Sequence, residues 1–472
     1  MNTISQNQSL DKFKSSLQQL FSHLGVNVLL KQSNFKKRAG YGTSVSELFF
    51  MVFASCFFSR NKTVYGNFTS TKQSNVCTSK SALYRFLSNE HNNWRKLLLL
   101  LSSRVISKIK SLSDSDRKLC LVLDDSVLER TKGKEVELLA RIFDHVSHRF
   151  VKGFTCLQLG WTDGISYIPV NSALLSSANT DNRYCDATDE IDHRTCGFVR
   201  RAEAQIKKTT MAIDLIKQTL RAGIVADYVL MDTWFTTEPF IKAITDLGLD
   251  VIGMVKQMKQ RYWYNGEQLN LRKLYQAIPN KRGGDIICSA VVKTKNGIKV
   301  RIVFIRNRNA RREYLALLST DLDISEEDIV RQYAKRWLIE TNFRAQKQYF
   351  KLGTETHARD YDNLIAFMTM SSIRYTVMEF SRRYNEDPRS LGSLFRDTCE
   401  QLEDIPFITA IESLMNCFTN LAKELDEAKL LKKGCIAKVE QIINKKLSSW
   451  FTGICRYLQD VFSTYNLCKI SI

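Results

Sequence analysis

The sequence predicts an α/β fold: a mixed sheet of roughly five strands with helices, a mostly β insertion, and helical regions at both ends. Three observations carry this reading. Two apolar runs, Leu119–Leu123 and Tyr228–Met231, each have the length of a buried strand, and each runs into an aspartate, Asp124 and Asp232. Further strand-like runs, Ile286–Val292, Val300–Ile305 and Tyr314–Ser319, cluster between residues 257 and 324. The flanks, residues 1–110 and 386–472, are helical in pattern.

In chain order, Leu10–Leu30 reads as an amphipathic helix, Lys31–Arg38 as a basic stretch, and Val45–Phe58 as an apolar helix. Thr78–Leu87 is a short helix that Ser79 caps, with Leu83 and Phe86 inward and Lys80 and Arg85 free to meet phosphates or base edges. The short helix, turn and second helix resemble a helix-turn-helix, a pattern that plain helical bundles share. Asn92–Lys108 follows as a helix with Trp94 and five leucines in its core face.

Leu138–Asp144, Phe154–Leu159 and Ile165–Val170 are expected strands, with a hairpin turn at Gly160–Gly164. Ser172–Gly197 is polar and reads as a surface loop; Thr209–Arg221 and Glu238–Leu247 read as helices flanking the second acid, and Val251–Lys256 as a further strand. At the first acid, two adjacent carboxylates cannot face the same way on an extended strand, so either Asp124 or Asp125 is the inward one. In the insertion, Asn296-Gly297 marks a turn. Trp263, within Arg261–Tyr264, either stacks on an unpaired base or packs in the core, and Arg306, Arg308, Arg311 and Arg312 form a basic run. A long helix is expected over Ile329–Leu352, where Pro and Gly are absent, with Ser325 as its cap. Asn363–Phe380 is another helix, Arg382–Arg389 a polar break, and Leu391–Leu402, Phe407–Leu421 and the lysine-rich Glu427–Lys446 are helical again.

Composition narrows the partners. The chain has 472 residues, 69 Lys and Arg against 49 Asp and Glu, and a net charge of +20. That excess favours a polyanion, most simply nucleic acid. The 12 Cys form no CxxC pair and no zinc-type cluster with the 6 His, so they fit reduced core residues of a cytosolic protein better than a disulfide scaffold. No signal peptide is evident, and no apolar run approaches the length of a membrane span.

The densest motif is Tyr333, Arg336, Glu340 and Lys347, spaced Y-x2-R-x3-E-x6-K. On one helix Arg336, Glu340 and Lys347 lie within about 60° of Tyr333, so a phenol, a guanidinium, a carboxylate and an ammonium share a face. This motif resembles the signature of the IS4-family DDE transposases, members of the RNase H-like superfamily, and the Asp124 and Asp232 strands resemble that family's two aspartate motifs. Family members commonly carry a β insertion before the third acid, where this chain has one.

The resemblance implies an RNase H-like core over residues 111–256 and 325–385, interrupted by the insertion 257–324. A DNA-binding region 1–110 precedes it and a helical region 386–472 follows. It implies Asp124, Asp232 and Glu340 as catalytic carboxylates holding two Mg2+ ions, with Mn2+ a plausible substitute, and Asp125 as the variable neighbour. It implies Tyr333, Arg336 and Lys347 as phosphate-binding groups. The partners would be DNA with terminal inverted repeats, target DNA and a second copy of the chain on DNA, with no membrane. The setting would be the bacterial cytoplasm and nucleoid, and the activity cut-and-paste transposition of an insertion sequence. A nuclease that cuts without joining, and a catalytically silent DNA-binding derivative, are the competing readings.

Overall fold

The computed structural model describes residues 18–37, 42–58, 79–113, 116–257, 260–280, 284–307, 310 and 313–399. All of them belong to one of the chain's two units, Leu17–Cys399; the other, Met1–Ser16 with Glu400–Ile472, lies outside them. The expected helices Phe407–Leu421 and Glu427–Lys446 also lie outside, as do Arg308, Arg311, Arg312 and the turn before Ser79.

The expected helix Leu10–Leu30 is interrupted. Residues 18–23 are helical, Gly25 takes a φ of 59°, and α1 (Val26–Gln32) starts afresh. A left-handed residue ends the helical ladder, and glycine adopts it without a Cβ clash. The space a Cβ would need is filled by Arg104, whose Nη1 donates to the Leu24 carbonyl at 2.7 Å. α2 (Val45–Phe58) buries Phe49, Val52 and Phe53. α3 (Lys80–Leu87) begins at the expected cap: Ser79 Oγ accepts the Ala82 N–H at 3.2 Å, while Leu83 and Phe86 turn inward. α4 (Trp94–Lys110) is capped by Asn93, which accepts from Lys96 N at 3.0 Å.

The sheet then builds in two directions. β1 (Cys120–Glu129) pairs antiparallel with β3 (Arg149–Thr162); β2 (Ala140–Asp144) and β4 (Tyr167–Leu175) share the far edge of β3. After α5 (Cys196–Glu203) and α6 (Lys208–Arg221), β5 (Tyr228–Met231) lies parallel beside β1. α7 (Glu238–Thr245) leads to β6 (Asp250–Val255), parallel to β5. The order β4-β3-β1-β5-β6, antiparallel then parallel, flanked by helices, is consistent with an RNase H-like α/β fold.

The residues between β6 and Ser325 extend this same sheet. β7 (Arg261–Tyr264), β8 (Glu267–Asn270), α8 (Leu271–Ala277), β9 (Ile286–Thr294), β10 (Lys299–Arg306) and β11 (Tyr314–Ser319) follow in sequence, and β11 pairs antiparallel with β6. The result is an open sheet of 11 strands rather than five. α9 (Glu326–Ala334), α10 (Trp337–Gln348) and α11 (Tyr361–Tyr384) close the described chain, with residues 391–399 helical. α11 is buried all round from Tyr361 to Phe380, the behaviour of a central core helix. Among the described residues no helix is long and apolar enough to cross a membrane.

Four further expectations are corrected. β1 does not stop at Asp124 but runs on to Glu129, because its pairing with β3 continues to Gly153. Gly160 belongs to β3, where the Tyr167 ring occupies the place of a Cβ; the turn comes later, with Asp163 Oδ1 accepting from Ile165 and Ser166 N–H at 2.9 and 2.8 Å. The polar stretch after Ser172 opens as strand and closes in α5, which Thr195 caps. The long helix Ile329–Leu352 is broken at Lys335–Arg336. There the N–H groups donate to carbonyls three residues back, Gln332 and Tyr333, at 3.1 and 2.9 Å. This tighter turn advances the chain further per residue than an α-helix and changes the phase between Tyr333 and Glu340.

Candidate active site

Parallel pairing of β1 and β5 sets the two aspartates side by side. Leu121, Val122 and Leu123 lie opposite Val229, Leu230 and Met231, all fully buried, so the next residues in register are Asp124 and Asp232. Apolar runs are what hold these strands in the sheet's centre, and the acids sit where the burial ends. Asp232 Oδ1 accepts the N–H groups of Trp234 and Phe235 at 3.0 and 3.3 Å, an Asx turn that fixes the carboxylate beside β1. Asp124 Oδ1 accepts its neighbour's N–H, that of Asp125, at 2.8 Å.

The motif helices close over this pair. The Ser325 hydroxyl accepts from Asp328 N at 3.1 Å and starts α9. Arg336, in the tight turn, donates from Nη1 to Asp124 Oδ2 at 3.2 Å and from Nη2 to Glu340 Oε1. Its guanidinium carbon lies 5.9 Å from the Tyr333 ring centre. Burial, and then the Asp232 charge, raise the Asp124 carboxyl to about 7. Burial likewise pushes the Tyr333 phenol up to about 12, against the pull of Arg336. The Asp232 and Asp124 charges also push the Tyr333 phenol up.

Among the described residues no three of His, Cys, Asp and Glu are grouped closely enough to hold one metal ion. Instead the Arg336 guanidinium bridges Asp124 and Glu340. As a donor set, two aspartates and a glutamate supply the hard oxygen ligands that Mg2+ takes.

The other sequence candidates stand apart from this group. Asp125 faces away from Asp124, as strand alternation requires, and forms an ion pair with Lys208 at 2.6 Å. The Lys208 ammonium also lies 3.7 Å above the half-exposed Trp234 ring. Lys347 is exposed on α10 and donates to the Val127 carbonyl of β1 at 3.3 Å. Lys80 and Arg85 are exposed on α3, where Arg85 Nε donates to the Ser81 carbonyl at 3.3 Å. On β7, Tyr262 is core and Trp263 is turned to solvent, 43% exposed.

Sequence reasoning missed what anchors α10. Gln158 of β3 is the register partner of Asp124 and is fully buried. Its Oε1 accepts from Asn342 Nδ2 and, at 3.5 Å, from Gln346 Nε2; its own Nε2 donates to Ser372 Oγ of α11 at 3.2 Å. Gln346 also donates to Asn342 Oδ1 at 2.8 Å. The available signal was a glutamine inside an apolar strand, with two amides four residues apart on a helix.

Titration of Asp124 has a stability consequence. Its folded pKa lies above the usual 3.8, so the folded state binds the proton more tightly. That stabilisation is full below about pH 4 and is lost as pH rises through about 7. In EDTA, Asp124→Asn is expected to melt above the wild type at pH 8, by up to about 3–4 kcal/mol, with the gap closing below about pH 6. Thermal melts at the two pH values check it; a gap that is constant with pH refutes it.

The fold and these residues define a class: a mixed sheet that presents two aspartates on adjacent parallel strands beneath a basic, glutamate-bearing helix. Comparison with known families agrees. Residues 47–273 match the family described as DDE superfamily endonuclease, and residues 188–376 match the transposase DDE domain. Both matches are to families of the DDE transposase/endonuclease superfamily, and together they span residues 47–376. No curated protein matches it.

Proposed function

We propose that the chain is an IS4-type transposase of a bacterial insertion sequence, acting at the nucleoid: it binds terminal inverted repeats, cuts DNA there and joins the freed 3′ ends to target DNA. The observation that carries this is the Asp124–Asp232 pair on adjacent parallel strands, linked through Arg336 to Glu340. Asp124, Asp232 and Glu340 would hold two Mg2+ ions, or Mn2+ in their place, which when bound activate the attacking oxygen and stabilise the leaving one. Arg336 suits a bidentate contact to the scissile phosphate, releasing a carboxylate as it turns to the substrate. Tyr333, kept protonated by burial, donates a hydrogen bond to a phosphate oxygen. Lys347 supplies a point charge further along the same strand.

The test is nicking of a duplex carrying the element's end, with and without Mg2+, followed by joining to a second duplex. Cutting without joining would favour a plain nuclease, and no cutting of any DNA would end the reading. Lys80→Ala or Arg85→Ala is expected to weaken binding to the specific end about fivefold while leaving cleavage of bound DNA unchanged. Affinities for specific and scrambled duplexes are compared at one salt concentration, and variants that bind the specific end as tightly as wild type would place recognition on another element. Because each chain supplies one set of three acids, joining both ends of an element calls for two chains. The +20 charge makes DNA the neutralising partner that assembles them.

A further inference from the structure

The β2–β3 hairpin carries a surface that the site above does not use. Strand alternation gives it two faces. One is ordinary core: Ile142 and Val151 are buried with Ala140, against Val127. The other should be wholly polar, yet it carries exposed aromatic rings among its cations. Phe143 and Phe150 lie directly opposite each other, 39% and 56% exposed, with ring centres 5.2 Å apart. Arg141 and Lys152 form the next rung on that face. The Arg141 guanidinium lies 4.1 Å over the Phe150 ring, and the Lys152 ammonium 4.6 Å over Tyr184, itself 52% exposed. Rings and cations thus alternate across one open face at the sheet's edge.

The tip of the hairpin is held in place. Asp144 accepts from Val146 N at 3.0 Å and from the Ser147 hydroxyl at 2.6 Å, and His148 takes a left-handed φ of 52°. The Ser147 hydroxyl chiefly, with nearby amides and the Lys347 ammonium, holds the Asp144 carboxyl below its usual range. Lys347 reaches β1 at the Val127 carbonyl, and Val127 packs against the buried face of this hairpin. Asp144 is engaged in the turn and Glu129 lies 4.0 Å from Arg149, so the acids near the tip are already matched.

We infer that this face is a stacking platform for unpaired bases of the DNA end that occupies the candidate active site, Phe143, Phe150 and Tyr184 taking bases while Arg141 and Lys152 take the flanking phosphates. Interleaved rings and cations recognise single-stranded nucleic acid, since every base has a π-face and stacking needs no base-edge readout. Paired bases inside a duplex offer no such face, so the platform separates frayed or extended ends from flush ones. The inference rests on the DNA-processing reading.

The experiment compares full-length protein binding to two labelled duplexes, one flush and one with a six-nucleotide single-stranded extension, by fluorescence anisotropy at one salt concentration. Wild type should prefer the extended duplex, and Phe143→Ala/Phe150→Ala should lower affinity for it about tenfold while leaving flush-duplex affinity unchanged. Arg141→Ala should reduce the same preference and flatten its salt dependence. Both faces of the outcome are decisive because the substituted side chains are exposed; an unchanged melting temperature verifies the fold. Variants that keep the wild-type preference overturn the platform even if nicking proves the DNA reading right. Failure of wild type to bind either duplex overturns both. A change from dimer to monomer with the preference intact would make the face a contact between copies, and also overturns it.

Discussion

Asp124→Asn and Glu340→Gln are each expected to lower metal-dependent nicking about a thousandfold or more, with the fold intact. The amide keeps the shape of the carboxylate and removes the charge that would hold a cation. It also keeps an acceptor for Arg336, so the guanidinium is not stranded. Asp125→Asn tests the register. Its carboxylate faces Lys208 on the other side of β1, so its loss should weaken an ion pair and slow nicking only a few-fold. Initial nicking rates in Mg2+ for the three variants are the measurement. A severe Asp125→Asn with an active Asp124→Asn would mean that the opposite face of β1 carries the chemistry.

Arg374→Ala is expected to cost about 3–5 kcal/mol, a large part of the total stability of a domain. Arg374 of α11 is fully buried and paired with Glu355, Nη1 to Oε2 and Nη2 to Oε1, the latter at 2.9 Å. It also donates from Nε to the Phe53 carbonyl at 2.9 Å, from Nη1 to the Phe350 carbonyl at 3.2 Å, and to the Val52 carbonyl of α2. Truncation leaves a buried carboxylate without its cation and takes one donor from each of three carbonyls. Glu355→Gln removes one charge but keeps an acceptor, and should cost less. Urea unfolding decides it: an Arg374→Ala midpoint within the error of wild type would show that water or rearrangement satisfies the site. This side chain ties α2 to the core helix, so loosening it should also loosen α2.

Much of the frame was legible locally. Tyr228–Met231 and Tyr314–Ser319 are strands with the bounds their apolar runs suggested, and Ser79 and Ser325 start their helices as caps. In each case the cause lies within a few residues: a continuous apolar run of strand length, or a hydroxyl within reach of an N–H three residues on. Strand alternation also required that Asp124 and Asp125 face opposite ways.

What each of them faces was not in the local sequence. The partner of Asp125 is Lys208, and that of Asp124 is Arg336, residues 83 and 212 positions away. The amide chain from Gln158 to Asn342 spans 184 positions, and the exposed Phe143–Phe150 rung depends on which face of β2 the core took. The helix break at Lys335–Arg336 has no glycine or proline to announce it. The sequence alone determined that Tyr228–Met231 and Tyr314–Ser319 are strands and that helices begin after Ser79 and Ser325, because those follow from apolar runs and local hydrogen bonds. The tertiary structure decided which carboxylates meet, which cation stands between them and which face stays open, because strand register and helix phase bring together groups that no local pattern relates.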